Sequence, residues 1–485
     1  MTASAGPRLA RPASGLVAVV GFLVCVEVAS GVLQGFYTPV WREVADHLDI
    51  RAGDVNWFEA AQLIVSALAV PFLALLGDIV GHKRVLLIAT AATALGSWIL
   101  VVSPTFTAFL VGYAIQGAYV VWLPLEVAIV YRRTAGSGAQ DRLTRRAAAI
   151  LVVALYVAII AASLASGNLA DVLPVAGMLA IPAGVVTICL VLVWVGVEDR
   201  PGTHDAGFDR AGLALLTLLL GLVMAALIVI RVLGPGFWPA WLLLAAGIAV
   251  VVPFARYERR LAEPLIDVDL LLSKRQWPLQ AASFLLGVSV LGAQVPLSTF
   301  ARTDPAEAGY GLGLRASAVS ILIAVYILMA IVGAALLPVA SRILGPRVAL
   351  IVAALLVGLG YGLFVPSHGS PGGVLVNMMI AGVGTGLLVA ALPAAAASAA
   401  PADRTGFATG MTNTVKTVGG AIASAVFAIS LASTGVSTDP AVVDTSTPTP
   451  LSGYLAAWSV CAVTAVLAGV VLAALPRKPA PAERA

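Results

Sequence analysis

A glutamate interrupts the first long apolar run of the chain. The segment GFLVCVEVASGVLQGF, residues 21 to 36, contains one charged side chain, that of Glu27. A helix over this run would be about 30 Å long, which is the thickness of a bilayer's hydrocarbon core, and Glu27 would lie near its middle. An acidic side chain at that depth costs about 2.5 to 3.5 kcal/mol, so it must be compensated or needed for function.

Glu27 belongs to a polar stripe on this helix. Ser30, Gly31, Gln34 and Thr38 follow it at spacings of three or four residues, which places them on one helical face. Such a face contacts protein or water, while the opposite face is apolar. Similar stripes are predicted from Glu59, Gln62 and Ser66, and from Tyr113, Gln116, Tyr119 or Val120, and Glu126.

The stripes predict a central cavity lined mainly by the N-terminal half of the chain. Gln294 and Asn377 mark the opposite half. The residues expected to line the substrate cavity are Gln34, Gln62, Tyr113, Gln116, Gln294 and Asn377.

Glu27 and Glu59 are the candidate proton-coupling residues. No basic residue inside the first six runs is available to pair with Glu27, so its carboxyl can bind and release a proton as the cavity opens to either side. A permanently protonated acid that bonds to a neighbouring helix is the alternative for Glu27. For Glu59 the alternative is a solvated or paired residue at the cavity mouth.

Composition identifies a polytopic membrane protein. Of the 485 residues, 60% are hydrophobic and 11% are charged, and the mean hydropathy is +1.01. Helices are expected because lipid cannot satisfy backbone hydrogen bonds. The runs long enough to span are 15–38, 55–76, 84–102, 106–130, 147–166, 175–197, 211–231, 238–255, 276–299, 317–338, 347–366, 372–396, 407–432 and 454–475.

Basic residues orient the chain. Most of the 28 lysines and arginines fall in loops on the side of the N-terminus. The positive-inside rule therefore predicts that both termini are cytoplasmic, and this placement accounts for the net charge of +4. The exceptions are Arg42, Arg51, Arg231, Arg302 and Arg315 on the outer side, and Lys416 inside an apolar run.

Several function classes are disfavoured. No connection between runs is long enough for a soluble domain, which argues against a receptor or a membrane-anchored enzyme. The three cysteines and four histidines are scattered, and the glycine-rich segments sit inside apolar runs without a following Lys-Ser pair. We therefore expect no enzyme activity, cofactor, metal or nucleic-acid partner, and a chain that works as a monomer on small molecules.

An internal repeat divides the chain. GHKRVLLIATAATALG, after the second run, returns from Gly345 as GPRVALIVAALLVGLG. Two related halves with a substrate site between them near the midplane are typical of transporters. We predict an N-terminal six-helix bundle at 1–198, two inserted helices with linkers at 199–270, and a C-terminal six-helix bundle at 271–485.

The segment ALLGDIVGHKR, residues 74 to 84, resembles the loop motif of the major facilitator superfamily, G-x-L-a-D-r-x-G-r-k-r. Asp78, Gly81, Lys83 and Arg84 match it. Gly81 permits a tight turn, and Asp78 can exchange ion pairs with the basic cluster as the halves rock. The simpler alternative is a positive-inside loop that only orients the chain.

A second local pattern is EVAIVYRR, which resembles the E-x-x-x-x-x-x-R pair of sugar porters through Glu126 and Arg133. It is compatible with a gate ion pair between Glu126 and the loop at Lys83 and Arg84. A simple pairing at the helix end is equally compatible with it.

Three further segments resemble the fourteen-span drug:proton antiporter subfamily. They are GFDRAGLALLTLLLGL, YERRLAEPLIDVDLL and GFATGMTNTVKTVGGAIASAV. The resemblance implies a fourteen-helix major facilitator fold and proton-driven export of amphipathic compounds or drugs across the cytoplasmic membrane. Tyr113 stands where the subfamily has an arginine, and the fifth run lacks its Gly-Pro signature. Metabolite export, proton symport and a ligand sensor without transport remain alternatives.

Overall fold

The computed structural model of the chain describes residues 12–134, 140–197, 209–261, 264, 266–401, 404–432 and 449–476. All regular elements in these residues are helical, and the predicted all-α membrane fold is confirmed. The segment STDPAVVDTSTPTP, whose composition predicts a disordered tether, lies largely outside the described residues.

The described part of the N-terminal half contains eight helices. α5 and α6 are joined through the 3-10 segment Gly117–Val121 into one span, which is the fourth predicted run. The helices are α1 Pro12–Phe36, α2 Trp41–His47, α3 Asn56–Val80, α4 His82–Val102, α5 Phe106–Gln116, α6 Trp122–Arg133, α7 Gln140–Leu169 and α8 Val175–Gly196.

The remaining helices form the middle section and the C-terminal half. The π-helical segment Val288–Gly292 interrupts the ninth span between α13 and α14. The helices are α9 Arg210–Leu233, α10 Trp238–Ala249, α11 Val251–Glu258, α12 Val268–Leu272, α13 Trp277–Gly287, α14 Gln294–Arg302, α15 Pro305–Ala308, α16 Ala316–Leu344, α17 Pro346–Leu363, α18 Pro371–Ala399, α19 Thr405–Ala432 and α20 Leu451–Leu472.

The predicted runs coincide with helices. By length and composition, 13 helical stretches of the described residues could cross a membrane. The 25-residue helix α3 occupies the second predicted run in addition. All fourteen runs therefore correspond to helices, and α2, α12 and α15 are short helices in the connections.

Each half has its own apolar core. In the N-terminal half the core surrounds Trp41, Phe58 and Trp122, and in the C-terminal half it surrounds Phe300 and Trp458. The halves pack against each other through α3 with α19 and α7 with α16. The inserted pair α9 and α10 packs together, and α9 also contacts α3 and α19. This arrangement leaves a space between the two cores.

Equivalent glycines form the turns of the internal repeat. Gly81 joins α3 to α4 with φ of +105°, and Gly345 joins α16 to α17 with φ of +81°. Residues with a Cβ rarely adopt such angles, so both turns require glycine. The repeated sequence therefore forms a turn with a positive-φ glycine in each of the two halves.

Candidate functional site

A cavity lies between the two halves. Its volume, including the part open to solvent, is about 1120 Å³. The N-terminal half contributes Gln34, Thr38, Tyr156 and Ile159 to its wall, while most of the wall comes from the C-terminal half. This distribution differs from the expectation of a cavity lined mainly by the N-terminal half.

Two of the six residues expected to line the cavity are in its wall. Gln34 on α1 and Gln294 at the start of α14 line it from the two different halves. The Gln34 amide also donates a hydrogen bond to the Ser30 hydroxyl at 3.1 Å. Whether these amides bind substrate stays a prediction.

Gln116 lies inside the N-terminal half instead of in the cavity wall, which corrects its expected position. Its side chain is fully buried. Its Nε2 donates to the Tyr37 hydroxyl at 2.8 Å and to the Ser97 hydroxyl at 2.9 Å, and its Oε1 accepts from Gln62 Nε2 at 3.1 Å. Both glutamines therefore join α3, α4 and α5 to one another and to Tyr37, the residue after α1.

Tyr113 and Asn377 are also buried within their own halves. The Tyr113 ring packs against Tyr37 and Trp41, and its hydroxyl donates to Glu59 Oε1 at 3.1 Å. Asn377 donates to the Ser367 hydroxyl at 3.2 Å. Glu59 is thus a hydrogen-bonded acid beside an aromatic cluster, and its part in proton coupling stays a prediction.

Glu27 and Glu126 form a pair of buried carboxyl groups. Glu27 on α1 is 1% exposed and Glu126 on α6 is 0% exposed. The two side chains interact directly, and their oxygens have no other hydrogen-bond partner in the part of the chain that the structure describes. Two carboxylates this close cannot both stay ionised in an apolar surrounding, so the pair is suited to holding a proton.

The observed partner of Glu126 differs from the basic residues that were expected to form a gate ion pair with it. Its carboxyl makes no ion pair with Arg133, Lys83 or Arg84 within the described residues, because it points to Glu27 instead. The seven-residue spacing between Glu126 and Arg133 is a local pattern, so it could not reveal that the partner of Glu126 lies on another helix.

The loop after α3 is held by contacts of its basic residues. Lys83 Nζ donates to the Trp194 carbonyl oxygen on α8 at 3.0 Å. Arg132 lies 3.1 Å from Nδ1 of the buried His82. Arg84 is exposed, and the side chain of Asp78 lies outside the described residues. The loop therefore joins the ends of α4, α6 and α8.

Direct contacts between the halves seal one end of the cavity, called the closed end below. Thr38 donates to Gln294 Oε1 at 3.5 Å, and the Ser298 hydroxyl donates to the Thr38 carbonyl oxygen. Glu43 and Arg302 form an ion pair between α2 and α14, with 17% and 14% of their side chains exposed. The positive-inside rule predicts that this end faces outward.

Sequence reasoning missed other residues of the cavity wall. They are Tyr156, Tyr326, Tyr361, Thr385 and Lys416, whereas Thr38, also in the wall, belongs to the predicted polar stripe of the first helix. Lys416 carried a usable signal, since it is a basic residue within an apolar run. The tyrosines carried no such signal, because a tyrosine in a cavity wall cannot be distinguished by sequence from a tyrosine at a membrane interface.

Comparison with known families gives a match over most of the chain. The family model described as Major Facilitator Superfamily matches residues 23–424 and 279–485.

Two characterised relatives are distant. The uridine/deoxyuridine transporter of Lactococcus lactis subsp. cremoris (strain MG1363) is 22% identical over 323 residues, which are 63% of this chain and 64% of that protein. This chain therefore spans slightly less than two thirds of that relative. The tetracenomycin C resistance and export protein of Streptomyces glaucescens is 24% identical over 406 residues, or 80% of this chain and 71% of that protein.

Solved transporter structures share the fold. A mutant of the nucleoside transporter NupG superposes with a TM-score of 0.67 at 14% identity, over 95% of this chain and 100% of that one. An auto-inhibited peptide transporter of the POT family gives 0.68 at 15% identity, over 97% and 99%. At these identities the likeness concerns architecture.

Proposed function

This chain belongs to the Major Facilitator Superfamily, and from that premise we propose that it is a proton-coupled exporter of small amphipathic compounds. That it is a membrane transporter of this superfamily follows from the family match and the fold. Membership of the fourteen-span drug:proton antiporter subfamily is part of the proposal, and a relative named as an export protein supports it.

The observation that carries the proposal is the carboxyl pair of Glu27 and Glu126. Both groups are buried, and they face each other inside the half that forms part of the cavity wall. An acid held in this setting exchanges a proton only when a conformational change admits water, which is the requirement for coupling. Glu59, bonded to Tyr113, is the second coupling candidate.

The conformational change is proposed to be the rocking of the halves about the cavity. The closed end would open while the loop with Asp78, Gly81, Lys83 and Arg84 rearranges at the other end, together with Arg133. One proton that moves down 100 mV releases about 2.3 kcal/mol, enough to concentrate a neutral substrate roughly 50-fold.

Uptake together with protons is the second candidate function. It is supported by the relative named as a uridine/deoxyuridine transporter. Amide and hydroxyl groups at Gln34, Gln294 and Tyr156 give the cavity hydrogen-bonding capacity for a polar solute. The direction of proton-driven movement separates the two candidates, and counterflow separates both from a ligand sensor.

The test uses proteoliposomes with an imposed pH gradient and three amphipathic dyes, namely anilinonaphthalene sulfonate, N-phenylnaphthylamine and ethidium. We expect uphill movement of at least one dye against the proton gradient. Glu27→Gln keeps the side-chain shape but removes the titratable proton, so it should lose uphill movement and keep exchange. Glu307→Gln, which removes an exposed acid on α15, is the matched control.

The same preparation gives a pH test. In antiport the proton and the substrate compete, so dye binding to the wild type should strengthen as pH rises, and Glu27→Gln should lose this dependence. Uphill transport by Glu27→Gln with a wild-type pH profile would assign coupling to another acid, first Glu59. Movement of no dye by the wild type would refute the export of amphipathic compounds.

A further inference from the structure

One charged side chain lies in the described wall of the central cavity, that of Lys416. It sits near the middle of α19, a helix of 28 residues, and therefore near the midplane of the membrane. Ionisable residues at that depth are rare because water cannot solvate them, and they commonly mark a substrate or ion pathway.

No acid neutralises this lysine in the part of the chain that the structure describes. No described carboxylate interacts with its ammonium group, and no described aspartate or glutamate lines the cavity. The buried acids of the other half have partners within that half, since Glu27 faces Glu126 and Glu59 accepts from Tyr113. The cavity therefore presents uncompensated positive charge to its contents.

The position of Lys416 is fixed by close helix packing. A Cβ atom added to Gly287 on α13 would lie 1.9 Å from the Lys416 carbonyl oxygen, so the two backbones are in contact there. Gly419 makes a similar approach to the carbonyl oxygen of Phe284. These contacts leave α19 no room to shift toward α13 and keep Lys416 in the cavity wall.

Neighbouring hydroxyl donors are already used within the protein. Tyr326 donates to the Thr385 hydroxyl at 3.1 Å, and Tyr361 donates to the Ser289 carbonyl oxygen at 2.7 Å in the π-helical segment. Lys416 is thus the strong donor left for a ligand in this part of the wall. Around it the wall is mainly apolar and aromatic.

We propose that Lys416 is an anion-binding subsite and that the transported compounds are amphipathic organic anions. A carboxylate, sulfonate or acidic hydroxyl of the substrate pairs with the ammonium group, and its apolar body packs on side chains such as Phe364 and Met378. This assignment rests on the proposed transport function, because it names the substrate class of the same cavity.

The test compares two probes that differ in one group. Anilinonaphthalene sulfonate carries a sulfonate that N-phenylnaphthylamine lacks. Binding of each is measured by fluorescence titration of the full-length protein in nanodiscs, with empty nanodiscs subtracted. We expect Lys416→Gln to weaken sulfonate-probe binding at least about tenfold, the loss of one charge-assisted hydrogen bond, and to leave the uncharged probe within about twofold. Lys416→Arg should retain most of the sulfonate binding.

Three results of the binding assay would overturn the assignment. The first is that the sulfonate probe shows no saturable binding, and the second is that it binds equally to the wild type and to Lys416→Gln. The third is that Lys416→Gln loses affinity equally for both probes, which would indicate a packing role. The assay needs no proton coupling, so Lys416-dependent binding without uphill transport would sustain this inference and refute the proposed function. Uphill transport of the sulfonate probe that is unchanged in Lys416→Gln would sustain the proposed function and refute this inference.

Discussion

The ion pair between Glu43 and Arg302 should stabilise the closed end. It joins α2 of one half to α14 of the other, and both side chains are mostly buried. Arg302 also donates to the Leu314 carbonyl oxygen at 3.3 Å and its own carbonyl oxygen accepts from Arg42. Separation of the halves at this end must break the pair. Glu43→Gln therefore weakens the closed state more than the open one.

The size of the effect follows from the kind of bond lost. A hydrogen bond to a charged group contributes about 1.5 to 3 kcal/mol. Since about 1.4 kcal/mol changes an equilibrium tenfold, Glu43→Gln should shift the population toward the open state by roughly 10- to 150-fold. A fully solvated pair would contribute about 1 kcal/mol at most.

The measurement is the distance between spin labels on cysteines at His47 and Glu307, both exposed and on opposite halves, with the three native cysteines removed. The wild type should give mainly one short distance. Glu43→Gln should add a longer distance, and Arg302→Gln should do the same. In the double variant the two effects should be less than additive, because both remove one interaction.

Asp46→Asn is the matched control. Asp46 lies on the same helix and pairs with Arg42 at 4.0 Å, but 73% of its side chain is exposed and the pair stays within one half. This variant should leave the distance distribution unchanged. An unchanged distribution in Glu43→Gln, or an equal change in Asp46→Asn, would refute the role of the pair in closing this end.

Two further predictions concern turns and topology. Gly81→Ala and Gly345→Ala should each lower stability by about 1 to 2 kcal/mol through their positive φ. Gly21→Ala, in open space within the helix α1, should not lower stability in the same thermal unfolding assay, because alanine favours a helix more than glycine does. Equal melting for all three would contradict the turn argument. A cysteine at Arg342 should react with an impermeant maleimide only from the cytoplasm, and one at Glu307 only from outside. The opposite pattern would reverse the orientation.

The helical fold was predictable from the sequence because each helix depends on a continuous run of apolar residues. A run of about 20 apolar residues must become a helix in lipid wherever it occurs, so all fourteen runs coincide with helices. The turn at Gly81 was predictable for a similar reason, since its residue type and position restrict the backbone. The repeat at Gly345 followed from comparing the chain with itself.

The site was predictable only in part. The polar stripe correctly indicated that Glu27 faces protein. The same periodicity predicted that Gln62, Tyr113 and Gln116 line the cavity, but these residues are not in its wall. Helical periodicity identifies the face that avoids lipid. It does not distinguish a face toward a cavity from a face toward a neighbouring helix, because both accept polar side chains.

The sequence by itself determined the membrane class, the positions of the apolar helices and the buried depth of Glu27 and Lys416, since each depends on neighbours along the chain. Tertiary structure alone decided which side chains meet. Glu126 is 99 positions from Glu27, and Arg302 is 259 positions from Glu43, yet each pair is in contact. Packing of helices from distant parts of the chain sets these contacts, and no local pattern encodes the choice of partner.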